Sequence, residues 1–198
     1  MPEVQHLRSA ESHIFDYQYI IILRTVSAKS VSTMEKTSFT HADAGQINVN
    51  MRHLKEKGYI ILDNVFTPQE VALIINKIAK VDSSGPTFRK TNDLFAIRQF
   101  MKEIPEIRSL IFTAKLNAII QEYFGADYFA IKSIYFDKPE GIQGDETICP
   151  VKSGGIMIMR PLLLHSSNRT TNSQKRRVIH IEFGNRILPG GLSWAEAL

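Results

Sequence analysis

The pattern of hydrophobic and polar residues differs between the two halves of the chain. In the first half, apolar residues recur at helical spacing, beginning in residues 47–57. The next predicted helix has a complete capping signal, with Thr67 as N-cap, Pro68 at the first helical position and Glu70 at the third. From Asp127 onward the period changes to two, which is typical of strands. Helices followed by strands predict an α+β fold in which helices cover one face of an antiparallel sheet.

The remaining predicted elements follow the same change of period. Short apolar runs bounded by Gly, Pro and Ser predict strands, and longer runs with capping residues predict helices. The sequence predicts a strand at 59–66, a loop at 82–86, helices at 94–104 and 114–124, and strands at 127–138, 154–167 and 176–185.

Residues 1–46 show no convincing periodicity. The Ser- and Thr-rich part of this segment, residues 25–45, is typical of flexible chain. We therefore expect a flexible leader outside the core, followed by one folded domain at 47–198, because a chain of 198 residues suits one ordinary domain. Met34 is an alternative start of translation within this leader.

Composition places the protein among ordinary globular chains, with 43% hydrophobic and 22% charged residues. The net charge of +4 permits weak attraction to anions, but the only basic run, 175–177, lacks the interleaved aromatic residues of a nucleic-acid-binding surface. The aliphatic run at 20–23 is far too short to span a membrane. Cys149, the single cysteine, excludes an internal disulfide and agrees with a cytoplasmic location. We expect neither nucleic acid nor membrane as a partner, and the oligomeric state stays open.

The stretch most indicative of chemistry is 154–183. A predicted strand ends near His165, a polar turn follows, and the next strand opens with Arg176 and Arg177. Non-haem iron oxygenases hold Fe(II) with two histidines and one carboxylate. An arginine suits the far carboxylate of 2-oxoglutarate because its guanidinium pairs with a carboxylate in fork fashion.

Three segments, 133–141, 154–171 and 176–183, resemble the phytanoyl-CoA dioxygenase family of Fe(II)/2-oxoglutarate-dependent oxygenases. Residues 54–71 are similar to the opening helix, strand and capped helix of that family, so the resemblance covers about residues 47–195. It implies a double-stranded β-helix, or jelly roll, with an N-terminal helical layer. It also implies Fe(II) and 2-oxoglutarate as cofactors and a small organic molecule as the substrate to be hydroxylated.

The resemblance assigns roles to two residues by position. His165 corresponds to the distal iron-binding histidine, and Arg176 corresponds to the arginine that binds 2-oxoglutarate. Strand alternation groups Arg177 with apolar residues and Arg176 with His180 and Glu182. We favour Arg176 because an active-site face is expected to carry polar groups, and Arg177 is the runner-up. Neighbouring strand residues 132 and 133 are weaker pocket candidates.

Two of the three iron ligands lack a counterpart where the family would place them. Members carry a His-x-Asp pair soon after the segment that corresponds to 133–141, whereas only 23 residues separate Gly141 from His165 here. The resemblance therefore implies an internal loss between about Gly141 and Asp145, which leaves fewer than the roughly eight strands of a jelly roll. Such a loss predicts an unpaired strand edge along residues 127–138.

Other acidic and histidine residues are weak substitutes for the missing pair. His41 and Asp43 form a literal His-x-Asp sequence, but they lie in the predicted leader. His180 and Glu182 share one face of a predicted strand, about 7 Å apart, and that strand carries the co-substrate arginine in the family. The carboxylates at 145 and 146 lie in the shortened connection.

With one ligand of three, iron affinity should fall far below that of an intact site. We expect an Fe(II)/2-oxoglutarate dioxygenase relative with little or no activity on an unknown small substrate. The alternative is a non-enzymatic remnant or truncated gene product that binds 2-oxoglutarate or a partner without turnover.

Overall fold

The structure is a computed structural model that describes residues 18–25, 44–91, 95–139, 149–161 and 175–198. Within these ranges, seven strands form one antiparallel sheet in the order β2-β6-β1-β7-β5-β4-β3. The strands are β1 (Gln18–Thr25), β2 (Tyr59–Leu62), β3 (Phe88–Lys90), β4 (Phe95–Arg98), β5 (Phe129–Pro139), β6 (Ile156–Met159) and β7 (Lys175–Gly184). The helices are α1 (Ala44–Lys57), α2 (Pro68–Ile78), α3 (Phe100–Glu103), α4 (Ile107–Ile111) and α5 (Ala114–Tyr123). No helix in these ranges is both long and apolar enough to cross a membrane.

Strand β1 corrects the prediction that residues 1–46 form a leader outside the core. Residues 18–25 lie inside the sheet, between β6 and β7, and pair with both strands. Ile21, Leu23 and Thr25 are at most 1% exposed. The physical reason is that an aliphatic run, too short for a membrane, suits a strand that is buried on both faces. A chain that began at Met34 would lack this strand, while the rest of the predicted leader, residues 1–17 and 26–43, lies outside the described residues.

The two best-marked helices begin where the capping residues predict. At the start of α2, the Thr67 side chain accepts a hydrogen bond from the Glu70 backbone, and the Glu70 carboxylate accepts one from the Thr67 backbone. Helix α5 begins at Thr113, whose Oγ1 accepts a hydrogen bond from the Leu116 backbone. It ends before Gly125, which has a φ of 101°. Local sequence signals were sufficient to predict where both helices begin, because the two residues of each cap lie within one helical turn of each other.

The predicted helix at 94–104 is wrong for its first part. Residues 95–98 form β4, which pairs with β3 on one side and β5 on the other. Gln99 then takes a left-handed conformation with a φ of 50°, and only the single turn 100–103 is helical. Pairing with β5 decides this segment, since a short apolar run fits either element. Because β4 and β7 flank β5, the predicted unpaired edge along 127–138 is also wrong.

One side of the sheet and the helices share a hydrophobic core. On β7, Ile179, Ile181 and Phe183 are at most 1% exposed, and we call their side the core face of the sheet. The Phe183 ring meets Phe124 at a centroid distance of 5.5 Å and Phe112 at 6.3 Å. Buried residues of every helix belong to the same cluster, among them Leu54, Ile74, Phe100, Ile107 and Leu116.

The other side of the sheet carries polar residues at its centre. On β7 this side holds Val178, His180 and Glu182, and we call it the polar face. Strand pairing aligns His180 with Ile22 of β1 and Ile134 of β5. Residues 22, 134, 180 and 182 are all partly buried. The sheet therefore has a core face that is mainly apolar and a polar face on which ionisable groups stand among aliphatic ones.

Candidate functional site

The residues predicted to bind iron lie outside the described residues. This holds for His165, for His41 and Asp43, and for the carboxylates at 145 and 146. Arg176 is in β7, where its backbone pairs with Lys138 of β5, and only its backbone is described. The roles of His165 and Arg176 therefore stay predictions, and the described part of the site is the polar face beside them.

Three ionisable side chains meet on the polar face. The Lys132 Nζ donates to Glu182 Oε1 at 2.5 Å, and His180 Nε2 lies 3.6 Å from the same oxygen. Strand register explains the contact, since Lys132 is directly opposite Glu182, and His180 is two residues along the same strand. The Glu182 carboxylate is 24% exposed and the His180 side chain 17%. The pair that the sequence put on one strand face is thus in contact, with a lysine as a third member.

Arg24 adds a further cation to the polar face. It stands opposite Val178 in the β1–β7 register. Its guanidinium Nη1 donates to the Val151 carbonyl at 2.9 Å. Sequence reasoning missed this residue because it lay in the segment interpreted as a leader. The aliphatic run before it was the signal that could have identified the strand.

Arg177, the runner-up for co-substrate binding, is engaged on the core face. Its Nε donates to Asp137 Oδ2 at 3.2 Å, and the two side chains are 18% and 11% exposed. The guanidinium also forms a hydrogen bond with the Tyr135 side chain. Burial raises the pKa of Tyr135, the Asp137 carboxylate raises it further, and Arg177 opposes the shift. This arrangement is an ion pair at the edge of the hydrophobic core.

Ser133, a weak pocket candidate from the sequence, is fully buried on the core face. Its Oγ accepts a hydrogen bond from the Met101 backbone and donates one to Glu196 Oε1, each at 2.9 Å. Glu196 is 1% exposed and belongs to the last residues of the chain, which pair with Ala130 and Ile131 of β5. Ser133 thus joins α3 to the C-terminal segment. Lys132, its neighbour, is the residue of this pair that reaches the polar face.

Cys149 is half-buried and lies beside a tyrosine rather than alone. A hydrogen bond with its sulfur raises the pKa of Tyr59, and burial of the phenol adds to the shift.

The described residues do not by themselves fit an iron site. Within them, no three His, Cys, Asp or Glu side chains come together in an arrangement that could hold a metal ion. His180 and Glu182 are a pair, and Lys132 occupies the carboxylate oxygen nearest to the imidazole. No step of chemistry is therefore derived through a metal from these residues.

Comparison with solved structures identifies the architecture. An oxidoreductase of the 2OG-Fe(II) oxygenase family from Burkholderia pseudomallei aligns with a TM-score of 0.55 at 12% identity, over 74% of this chain and 94% of its own. HygX from Streptomyces hygroscopicus, solved with nickel and 2-oxoglutarate, aligns at 0.56 and 10% identity, over 81% and 97%. The chain has the fold of the 2-oxoglutarate/Fe(II) oxygenases.

A third match to this oxygenase fold comes from a protein with a natural-product ligand. The epimerase SnoN, solved with Fe³⁺, alpha ketoglutarate and nogalamycin RO, aligns with a TM-score of 0.58 at 11% identity, over 79% of this chain and 94% of its own. No family model matches the sequence. No curated protein matches it either. At 10–12% identity the likeness establishes the oxygenase fold.

Proposed function

We propose that this protein is a relative of the Fe(II)/2-oxoglutarate-dependent dioxygenases that binds 2-oxoglutarate and has little or no turnover. The observation that carries the proposal is the oxygenase fold, which the chain shares with proteins solved with 2-oxoglutarate or alpha ketoglutarate bound. Within the sequence, 133–141, 154–171 and 176–183 resemble the phytanoyl-CoA dioxygenase family, which is the finer assignment we favour. The substrate class is a small organic molecule.

The described contacts support Arg176 over Arg177 as the 2-oxoglutarate ligand. Arg177 is already hydrogen-bonded to Asp137 and Tyr135 on the core face, next to the fully buried Ile179. Residues 178, 180 and 182 share the opposite, polar face, so strand alternation predicts that position 176 belongs there as well. A guanidinium on that face would lie among partly buried residues. Because partial burial lowers the local dielectric constant, it would strengthen a charge-assisted hydrogen bond between the guanidinium and a dicarboxylate.

We also infer that the iron site is incomplete. His165 is the one residue that the family motif assigns to iron, and no His-x-Asp pair follows 133–141. Loss of two direct ligands should weaken metal binding by far more than the roughly 10- to 100-fold that is typical when a residue hydrogen-bonded to a metal ligand is lost. The jelly roll is then incomplete between Gly141 and Asp145. Bound Fe(II) and 2-oxoglutarate together supply oxidative chemistry in an intact site, and we expect little of it here.

Thermal stabilisation by 2-oxoglutarate tests the co-substrate half of the proposal. A ligand that prefers the folded state raises the melting temperature. We expect 2-oxoglutarate to stabilise the wild-type protein and the exposed-arginine variant Arg186→Gln, and to leave Arg176→Gln unchanged. Stabilisation that survives Arg176→Gln and disappears in Arg177→Gln would assign the role to Arg177. No stabilisation of the wild type would refute 2-oxoglutarate binding.

Succinate formation tests the iron half separately. We expect no succinate above background when the purified protein is incubated with Fe(II), ascorbate and 2-oxoglutarate. Succinate that disappears in His165→Ala would show that the iron site is complete and that the protein is an active dioxygenase. We expect Mn(II) to add no stabilisation to that given by 2-oxoglutarate alone, which would support a non-enzymatic remnant, whereas added stabilisation by Mn(II) would indicate a rebuilt metal site.

A further inference from the structure

Strand β1 fills a slot between β6 and β7, which are not paired with each other in the described sheet. Residues 20–23 pair with β6, and all eight residues of β1 pair with β7. Beyond the paired residues, the Arg24 amide donates to the Gly155 carbonyl at 3.2 Å, and the Gly154 amide donates to the Arg24 carbonyl at 3.0 Å. Both hydrogen-bonding edges of β1 are therefore used, as in any interior strand.

The sheet is divided without β1. In the described topology, β2 and β6 would form one fragment, and β7, β5, β4 and β3 would form another. The facing edges of β6 and β7 would then present unpaired N–H and C=O groups, which bind any extended segment of suitable register. The slot is thus a strand-binding site whose present occupant is the N-terminal strand of the same chain.

The occupant is far from its partners in the sequence. Residue 25 precedes β6 by 131 positions and β7 by 150, so both pairings of β1 are non-local and are expected to form slowly. Ile20, Ile21 and Leu23 are at most 8% exposed in the sheet. If β1 were outside the slot, these side chains would be exposed to water. A second copy with an unfilled slot would then present the same pairing surface to them.

The number of residues between β1 and α1 is large enough for exchange between copies. Eighteen residues, 26–43, separate the two elements, and a chain of that length can span at most about 60 Å. On length alone, β1 of one copy can reach the slot of another. Within one chain, a tethered segment competes at an effective concentration on the order of 1 mM. Exchange between chains is favoured when many slots and strands are open together at high protein concentration.

We propose that β1 is an exchangeable strand and that two copies of this chain form a strand-swapped dimer in which each β1 pairs with β6 and β7 of the other. The contacts in the slot are the same in the monomer and the dimer, so the dimer needs no new interface. A second copy suits the slot because its β1 places Ile21 and Leu23 against the apolar residues of the core face and Thr25 opposite Arg177. This inference is independent of whether 2-oxoglutarate binds.

Refolding at different concentrations tests the exchange on the full chain. Denatured wild-type protein is refolded at about 2 µM and about 200 µM, because strands of other copies compete about 100-fold better with the tethered strand at the higher concentration. Both samples are then diluted equally and measured by size-exclusion chromatography with light scattering. We expect the dimer fraction to be at least fivefold larger, by order of magnitude, after concentrated refolding and to persist after dilution, because release requires β1 to unpair. Monomer alone at both concentrations would overturn the proposal.

A disulfide across the slot distinguishes strand exchange from side-by-side association. Ile22 and Met157 are directly opposite each other in the β1–β6 register and both are partly buried, so Ile22→Cys with Met157→Cys in a Cys149→Ser background places two thiols across the slot. Oxidised dimer should run as a covalent dimer on a denaturing gel, and oxidised monomer as a covalent monomer. A dimer that separates into monomers on that gel would overturn strand exchange. The matched control is Met157→Cys alone in the same background.

Discussion

The two faces of β7 differ in burial and in the residues that they carry. On the core face, Ile179, Ile181 and Phe183 are at most 1% exposed, and the Phe183 ring packs against Phe112 and Phe124. On the polar face of the same strand, His180 and Glu182 are partly exposed and contact each other and a lysine. Because alternate side chains point to opposite faces, one strand can satisfy both requirements.

The difference suggests why the fold tolerates large changes in sequence. Packing on the core face depends on apolar volume, which many different sequences can supply. This agrees with a fold that is shared with other proteins at only 10–12% sequence identity. Groups on the polar face contribute far less to packing, so they can be replaced at small cost in stability. Substitutions of the polar groups on that face should therefore leave a folded protein.

The sharpest test of this division compares neighbours on β7. Ile181→Ala removes a fully buried side chain from the core face and should lower the free energy of unfolding by about 2–5 kcal/mol. His180→Ala, one residue away on the polar face, should cost about 1 kcal/mol or less. Urea denaturation followed by circular dichroism measures both. Equal losses in the two variants would show that the faces do not differ in this way.

The same comparison on β1 tests whether this strand belongs to the sheet. Ile21 is fully buried on the core face, whereas Ile22 is partly buried on the polar face. Ile21→Ala should lower the free energy of unfolding by about 2–4 kcal/mol and Ile22→Ala by about 1 kcal/mol. Thermal melts of the full chain at one protein concentration provide the measurement. If residues 18–25 lay outside the core, both substitutions would be nearly neutral.

A smaller effect is expected for the ion pair at the margin of the core face. Asp137→Ala leaves the Arg177 guanidinium without its carboxylate partner in a mostly buried position and should cost about 1–3 kcal/mol. The double variant Asp137→Ala with Arg177→Met should recover part of this loss because no charge is then left unpaired. A double-mutant cycle in urea gives the coupling energy, and additive losses would show that the two side chains do not interact.

How far the sequence predicts this fold depends on the distance between interacting residues. The α2 cap was predictable because Thr67 and Glu70 are three residues apart and form a capping box that can be recognised in the sequence. Strand β1 was not predictable in this way. A short aliphatic run shows that a segment is a strand only when its partner strands are known, and those of β1 lie 131 and 150 residues later. Residues 95–98 were assigned to a helix for the same reason, since pairing with β5 decides their structure.

The candidate site shows the same dependence on distance. Alternation along β7 correctly put His180 and Glu182 on one face because both residues belong to one strand. The other two ionisable residues of the polar face, Lys132 and Arg24, belong to β5 and β1. Their positions on this face could be known only from the register in which those strands pair with β7. The buried hydrogen bond between Ser133 and Glu196 joins residues 63 positions apart and has no sequence signal.

Alkaline pH provides a further test of burial on the core face. Burial raises the pKa of Tyr135, so the folded protein keeps this phenol protonated where the unfolded chain, with a pKa of about 10, releases the proton. Its contribution to stability is therefore full below about pH 10 and is lost as the pH rises further, by at most about 1.4 kcal/mol per pH unit. Tyr135→Phe should reduce the fall in unfolding free energy between about pH 8 and pH 11. Parallel pH profiles for wild type and variant would contradict a raised pKa.

The smallest effect is expected for the ion pair on the polar face. Lys132 and Glu182 are 46% and 24% exposed, so water and salt screen their attraction, and Lys132→Met should change the free energy of unfolding by about 0–1 kcal/mol. High salt should reduce the difference between wild type and variant, because a screened pair loses its attraction. Glu182→Gln serves as the matched control, since it removes the same pair from the other side. A salt-independent loss above about 2 kcal/mol would show that the polar face stabilises the fold as the core face does.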